Sequence, residues 1–210
     1  MSYQDEREQL FKIVQQAYKV DLIRMSAGNI STRTENGMVA ITPSGIKYRF
    51  MKGEDISIVD MEGNLVEGPK PSSETPMHTA IYRNIPRAKS ICHTHSIYGM
   101  VFAMLQEDIP LMNVELMVCG APIPVAPWAA PGTVKAGEVT VDIFLSRPEL
   151  SVILLRQHGL VAIGNSLDQA YDKAYNAETG LETYYKSRLL GIPQQFTQEQ
   201  INEIKEVYGL

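Results

Sequence analysis

Apolar residues Leu10, Ile13, Val14, Ala17 and Tyr18 fall at i, i+3, i+4, i+7 and i+8. That spacing makes one face of a surface helix, predicted over about residues 5–25. Gly28-Asn29 reads as a turn, and Val39-Ala40-Ile41-Thr42 as a short strand stopped by Pro43-Ser44-Gly45. Ile56 to Val59 followed by Asp60-Met61-Glu62-Gly63-Asn64 suggests a hairpin. Pro69 to Pro76 is a polar loop, and Met77 to Asn84 can form a helix behind Pro76. Ser90 to His93 reads as a strand and Ile97 to Gln106 as a helix. Ile109 to Gly132 carries five prolines, which predicts an irregular stretch with strand fragments. Val152 to Leu155 and Leu160 to Ile163 are two apolar strands around a polar Arg156-Gln157-His158-Gly159 corner. A long helix over Leu167 to Leu190 and a short one over Gln198 to Val207 complete the pattern. Strands and helices do not alternate strictly and several strands are close enough to be hairpin partners. The expected class is therefore α/β, with a mainly antiparallel sheet covered by helices, in a single domain over residues 1–210.

Composition narrows the function. With 44% apolar residues the chain can bury one core, and no repeat or linker divides it. Its 19 basic and 24 acidic side chains give a net charge of −5, which argues against nucleic acid as a partner. No apolar run approaches the ~20 residues of a membrane span, and the opening Met1 to Glu6 lacks the basic and apolar regions of a leader. Two cysteines make no disulfide framework. The expectation is a soluble cytoplasmic protein without membrane or nucleic-acid partners.

Four histidines carry the candidate chemistry. His93 and His95, two apart at a strand end, point to the same face and can give one divalent ion two nitrogens. His158, in the polar corner, can bring a third imidazole. Three histidines with an open position are the arrangement of a catalytic zinc site. The competing reading is a chance pair and a turn residue. Glu74 stands directly before a helix, where it is either an ordinary helix-start acid or a base with a pKa moved by burial or by a metal. His78, four residues on, makes a rival ligand pair with Glu74, although a helix-borne histidine is more often buried and hydrogen-bonded. Cys92 alternates away from His93 and His95 and reads as packed. The clusters Gly28-Asn29-Ile30-Ser31, Thr42-Pro43-Ser44-Gly45 and Ser72-Ser73 each offer hydroxyl or amide donors of the kind a phosphate takes, as ordinary turns also do. Neither dinucleotide nor P-loop signatures occur, nor a G-x-S-x-G elbow.

Taken in order, Gly28-Asn29-Ile30-Ser31, Thr42-Pro43-Ser44-Gly45, Ser72-Ser73-Glu74, His93-Thr94-His95 and Gln157-His158-Gly159 resemble the class II aldolase/adducin family, most of all its L-fuculose-1-phosphate aldolase branch. The resemblance runs from about Arg24 to Ile163, and the closing Tyr208-Gly209-Leu210 resembles that branch's tail. It implies a three-layer α/β/α fold, a four-fold symmetric homotetramer with active sites between subunits, and Zn2+ as cofactor. It matches His93, His95 and His158 to the zinc ligands. Glu74 is matched to the acid/base, which also occupies the metal in the absence of substrate. Asn29, Ser44, Gly45, Ser72 and Ser73 are matched to the phosphate-binding positions, and Tyr208 to a tyrosine that covers the site. The implied reaction is reversible cleavage of a phosphorylated ketose to dihydroxyacetone phosphate and an aldehyde. One position departs: a gapless alignment puts Asn113 where the branch uses a proton-donating tyrosine. Glu115, two residues on, resembles a catalytic glutamate of the methylthioribulose-1-phosphate dehydratase branch. The same metal and phosphate sites would then serve a dehydratase, epimerase or decarboxylase, with Glu115 as an added acid/base; otherwise Glu115 is a surface acid. A third possibility is a non-catalytic interaction module of the adducin type, against which the intact His93, His95, His158 and Glu74 argue.

Overall fold

The computed structural model describes residues 3–105, 107–120 and 122–209. Among them the strands β1 (Asn29–Arg33), β2 (Val39–Ile41), β3 (Ser57–Val59), β4 (Leu65–Glu67), β5 (Ser90–Thr94), β6 (Val125–Ala126), β7 (Val152–Leu155) and β8 (Gly159–Gly164) form one sheet. Its order is β4-β3-β2-β1-β5-β8-β7-β6. Each neighbouring pair is antiparallel except β6–β7.

Period-2 alternation separates two layers of core. Ile30, Cys92, Leu154, Leu160 and Ala162 face one way, toward α1 (Gln4–Lys19) and α6 (Leu167–Leu190). Ile91, Ile153, Val161 and Ile163 face the other, toward α2 (Thr75–Asn84) and α5 (Val134–Ser146). Burying each such aliphatic side chain contributes roughly 1.5–3 kcal/mol, so a one-residue slip of β5 or β8 would forfeit several at once. Small residues Ala170, Ala174, Ala177 and Gly180 let α6 lie close to the sheet. Its Glu178 accepts the Tyr98 and Gly99 backbone N–H groups, both at 2.8 Å, and so holds the start of α3 (Ile97–Ala103). The expected α/β class and mainly antiparallel sheet are what the structure has.

Several boundaries differ from the sequence pattern, for local reasons. Helix α1 stops at Lys19 because left-handed residues follow at Asp21 (φ 61°) and Met25 (φ 56°). Gly28-Asn29 does turn the chain, but Asn29 also begins β1, whose polar Ser31-Thr32-Arg33 hides its strand character. Helix α2 begins at Thr75, two residues before the expected Met77. Helix α5 was not expected at all, because Gly132, Gly137 and the β-branched Val134, Val139, Thr140 and Val141 blur its 3.6-residue period. Thr133 caps it, its hydroxyl accepting the Ala136 N–H. The proline-rich stretch contains β6, an Ile109–Ile123 bridge and a short helix α4 (Val114–Met117). The last helix, α7, spans Gln198–Tyr208. Helix α3 ends at Ala103, short of the expected Gln106, which lies outside the described residues, as do Met1-Ser2 and Leu210.

Candidate active site

Three neighbouring pieces of backbone meet where β5 ends. His93 is the fourth residue of β5, paired with Asn29 of β1 on one side and Val161 of β8 on the other. His95 follows β5 directly. His158 ends the β7–β8 corner, where Gln157 is left-handed (φ 56°) and the His158 N–H donates to Leu155 O at 3.0 Å. Gly159 makes the convergence possible. A Cβ there would lie 2.3 Å from Thr94 O, so a larger residue would drive β8 off the His93–His95 segment.

The three imidazoles face one another. Ring centroids are 5.0 Å apart for His93–His95, 4.7 Å for His93–His158 and 4.8 Å for His95–His158. One ligand atom from each lies within 4.8 Å of the others. His93 Nδ1 donates to Leu160 O at 2.9 Å, which leaves its Nε2 lone pair toward the cluster, 3.1 Å from His95 Nε2. Burial lowers the pKa of all three: His158 falls to about 4, with His95 adding repulsion, and His93 falls well below its ordinary value. They are therefore neutral at physiological pH, the form that binds metal.

Glu74 resolves the ambiguity of its position. It occupies the N-cap of α2, yet its side chain makes no capping bond; the Ser72 hydroxyl accepts the Glu74 N–H instead, at 3.2 Å. The carboxylate turns inward, with Oε2 3.7 Å from His93 Nε2 and 3.9 Å from His158 Nε2. That oxygen is buried and without a hydrogen-bond partner among the described residues. Desolvation raises the Glu74 pKa to about 6, partly opposed by the Gly132 N–H. An orphaned carboxylate oxygen beside three neutral imidazoles is costly unless a cation joins them, and three nitrogens with one oxygen suit a divalent ion.

Above this cluster lies a cavity of about 250 Å³ lined by Gly28, Asn29, Ser44, Gly45, Ser72, Ser73, Glu74, His95 and His158, among others. It gathers all five expected phosphate-binding positions with the acid/base and two of the three histidine ligands; His93 is fully buried beside them. Two loops carry the hydroxyls, joined by Ser72 N–H to Thr42 O at 3.1 Å and Ser44 N–H to Lys70 O at 2.9 Å. Larger depressions of about 690 Å³ against α1 and 940 Å³ beneath α7 gather no histidine, so chemistry rather than size locates the site.

Three expected residues lie elsewhere. Asn113 caps α4: its Oδ1 accepts the Leu116 N–H at 3.1 Å and its amide donates to Gly180 O at 2.9 Å. Glu115, half-buried on α4, and Tyr208, 63% exposed at the end of α7, do not line the cavity of their own chain. His78 is not a ligand rival, since it is fully buried and both its ring nitrogens are hydrogen-bonded. Gly132 and Pro131, from the loop before α5, complete the cavity's surroundings without any signal in the sequence pattern.

Fold and site together define a metal-dependent enzyme class. Residues 8–185 match the family described as Class II Aldolase and Adducin N-terminal domain, and the chain belongs to that family. It is a class II aldolase, a lyase, and class II aldolases are metal-dependent. It is 30% identical over 210 residues to 5-deoxy-D-ribulose 1-phosphate aldolase of Bacillus thuringiensis serovar kurstaki, covering 99% of this chain and 97% of that one. It is 36% identical over 176 residues to L-fuculose phosphate aldolase of Haemophilus influenzae, covering 83% and 79%. Among solved structures an L-fuculose 1-phosphate aldolase superposes with a TM-score of 0.91 at 30% identity, covering 100% of this chain and 99% of that one. Among the described residues no helix is long and apolar enough to cross a membrane.

Proposed function

We propose that the protein is a zinc-dependent aldolase that reversibly cleaves a ketose 1-phosphate into dihydroxyacetone phosphate and an aldehyde. The observation that carries this reading is the unpaired Oε2 of Glu74 at the three-histidine cluster, beside a cavity rimmed by hydroxyl and amide donors. His93, His95 and His158 would hold the ion, with Glu74 as a fourth ligand while the cavity is empty. A zinc ion there supplies Lewis-acid stabilisation of the negative charge that develops on the carbonyl-bearing fragment. Asn29, Ser44, Gly45, Ser72 and Ser73 would seat the phosphate and so decide which carbon faces Glu74. In cleavage the carbon–carbon bonding pair passes to the carbonyl-bearing fragment, and the departing aldehyde's hydroxyl gives up its proton to water, from which Glu74 is re-protonated after it has acted. Glu74 delivers a proton to the carbon that has lost its partner; in synthesis it removes that proton. A carboxyl group can serve in both directions, as acid in cleavage and as base in synthesis.

The names of the relatives support a phosphorylated sugar as substrate, and two of them differ only in the sugar. A homotetramer with sites between subunits is supported by exposed Ile97, Val101, Met104 and Leu105, which follow one another at helical spacing on the outside of α3 and just beyond. If Glu115 and Tyr208 act at an active site, it is a neighbour's, since neither lines the cavity of its own chain.

Asn113 supports a second reading. Both functional ends of its side chain are spent on α4 and α6, so it cannot replace a proton-donating tyrosine. Glu115, as an acid/base at a neighbour's site, would then suit a sugar-phosphate dehydratase, epimerase or decarboxylase. Product analysis over ketose 1-phosphates and 5-phosphates, with metal analysis of the protein used, decides between the two. Free dihydroxyacetone phosphate establishes the aldolase; loss of water or inversion with the carbon chain intact, or release of carbon dioxide, establishes the alternative. Zinc-free protein of full activity would overturn both.

A further inference from the structure

A chain of short hydrogen bonds runs through the core behind the cavity. Tyr82 Oη lies 2.7 Å from Ser31 Oγ, Ser31 Oγ lies 2.6 Å from His78 Nδ1, and His78 Nε2 lies 2.6 Å from Asn29 Oδ1. His78 and Ser31 are fully buried, Tyr82 and Asn29 nearly so. Only Asn29, at the end of the chain, reaches the cavity.

The direction of the protons follows from counting them. Desolvation holds the His78 pKa at about 3, so the ring is neutral and carries one N–H. If that proton is on Nε2 it is donated to Asn29 Oδ1. Nδ1 then accepts from the Ser31 hydroxyl, and Ser31 accepts from the Tyr82 hydroxyl; every proton has an acceptor. In the reverse direction the Asn29 amide donates to Nε2, Nδ1–H donates to Ser31, and Ser31 donates to Tyr82. The buried Tyr82 hydroxyl proton is then left without an acceptor among the described residues. The two directions present opposite faces of Asn29 to the cavity: its NH2 group in the first, its carbonyl oxygen in the second.

We infer that His78 is a positioning residue, locked as the Nε2–H tautomer by Ser31 and Tyr82, and that it holds the Asn29 amide with its NH2 group toward the cavity, committing that wall to anion recognition. This rests on the proposed reading of the cavity as a phosphate seat and adds what fixes the sign of its selectivity. The arrangement also explains why a buried histidine stands four residues from Glu74 without ligating: it acts through Asn29.

The test uses the metal-loaded protein with inorganic phosphate as probe. A glutamine at 78 can place an N–H where Nε2–H stands, whereas asparagine reaches only the Nδ1 position and leucine has no donor. His78→Leu and His78→Asn should weaken phosphate binding about tenfold or more, and His78→Gln should keep it within about threefold of wild type, at equal metal content. The same variants should raise KM for a ketose 1-phosphate more than they lower kcat. Nitrogen-15 NMR of the wild type should find His78 protonated on Nε2, a measurement that needs no variant to fold. An Nδ1–H tautomer, or a folded His78→Leu protein that binds phosphate like wild type, would overturn the inference alone. A wild type that binds no phosphate would overturn the phosphate seat and the inference with it.

Discussion

Replacing Glu74 with glutamine should separate what the carboxylate costs from what it does. Its oxygen is buried, 95% shielded as a residue and unpaired, and desolvation raises its pKa from 4.5 to about 6. The gap corresponds to roughly 2 kcal/mol between its charged and neutral forms in the folded protein. The sign follows from a raised folded-state value: below pH 4.5 the group is neutral in both states and costs nothing. As pH rises through about 6 the unfolded chain has already ionised, the folded one must follow, and stability falls by that amount. Metal-stripped Glu74→Gln should therefore melt with wild type at pH 4.5 and above it at pH 8, by up to ~4–8 °C for a chain this size. Zinc should reverse the order, because wild type binds it with one more anionic ligand and gains stability by mass action. Turnover should fall ~10²–10⁴-fold, the usual scale for losing one proton-transfer group. The assay is a melting series with and without metal at the two pH values, alongside initial rates. A variant equally destabilised at both pH values, or one that keeps its turnover, would refute this account of Glu74.

Further expectations follow from the same geometry. His95→Ala should abolish zinc content and activity together; full zinc in that variant would remove His95 from the ligand set. Gly159→Ala must push a Cβ against Thr94 O, 2.3 Å away in the present backbone, so it should cost at least the ~1–3 kcal/mol of ordinary overpacking, and it should weaken metal binding by displacing His158, both readable by denaturation and metal titration. Acid should destabilise the metal-free protein. His78 and His158 protonate at about 3 and 4 when folded against 6.5 ordinarily, so between pH 4 and 6.5 the unfolded chain holds more protons. Each contributes a loss of roughly 1.4 kcal/mol per pH unit as pH falls, with Glu74 offsetting one of them between 4.5 and 6; His78→Leu should flatten the curve measured by urea titration. Glu115→Gln should lower turnover ~10²–10⁴-fold with zinc unchanged if Glu115 serves a neighbouring site, and near-normal turnover would return it to a surface acid.

How much of this was legible in the sequence depends on the range over which each signal acts. The His93–His95 pair was legible because a strand's period is two, which fixes both rings on one face whatever surrounds them. His158 was legible as a corner residue, since apolar strands on both sides leave the polar Arg156-Gln157-His158 nowhere to go but a turn. Their convergence with Glu74 came only from the order of motifs resembling a family, because nothing within ten residues of Glu74 says which way a carboxylate at a helix start will point. In the structure the Glu74 side chain makes no capping bond and turns inward toward His93 and His158, while the Ser72 hydroxyl accepts its N–H. Helix α5 was illegible for the opposite reason: its glycine and β-branched residues are poor helix formers, and packing against α2 overrides them, with Gly137 lying directly over Ala80.

His78 was the hardest residue to read, and its case clarifies what the site requires. On the sequence it is a helix-borne histidine with a carboxylate four residues before it, a pattern that fits a metal ligand as well as a core residue. The alternatives separate only through Ser31 and Asn29, which come from β1, a strand whose polar residues concealed it. Ser31 is buried on the same face of β1 as Asn29, two residues apart, so a single strand supplies both partners of the His78 ring. That polar strand next to β5 is therefore not a weak piece of sheet but the element that joins the two halves of the cavity. Through Asn29↔His93 it is paired with the histidine cluster, and through His78 it is tied to the helix that begins at Glu74. A shift of β1 by one residue would turn Asn29 and Ser31 to the α6 face and leave His78, 0% exposed, without either partner. The register that builds the core thus also sets the separation between the proposed phosphate seat and the acid/base, which is the distance a ketose phosphate would have to span.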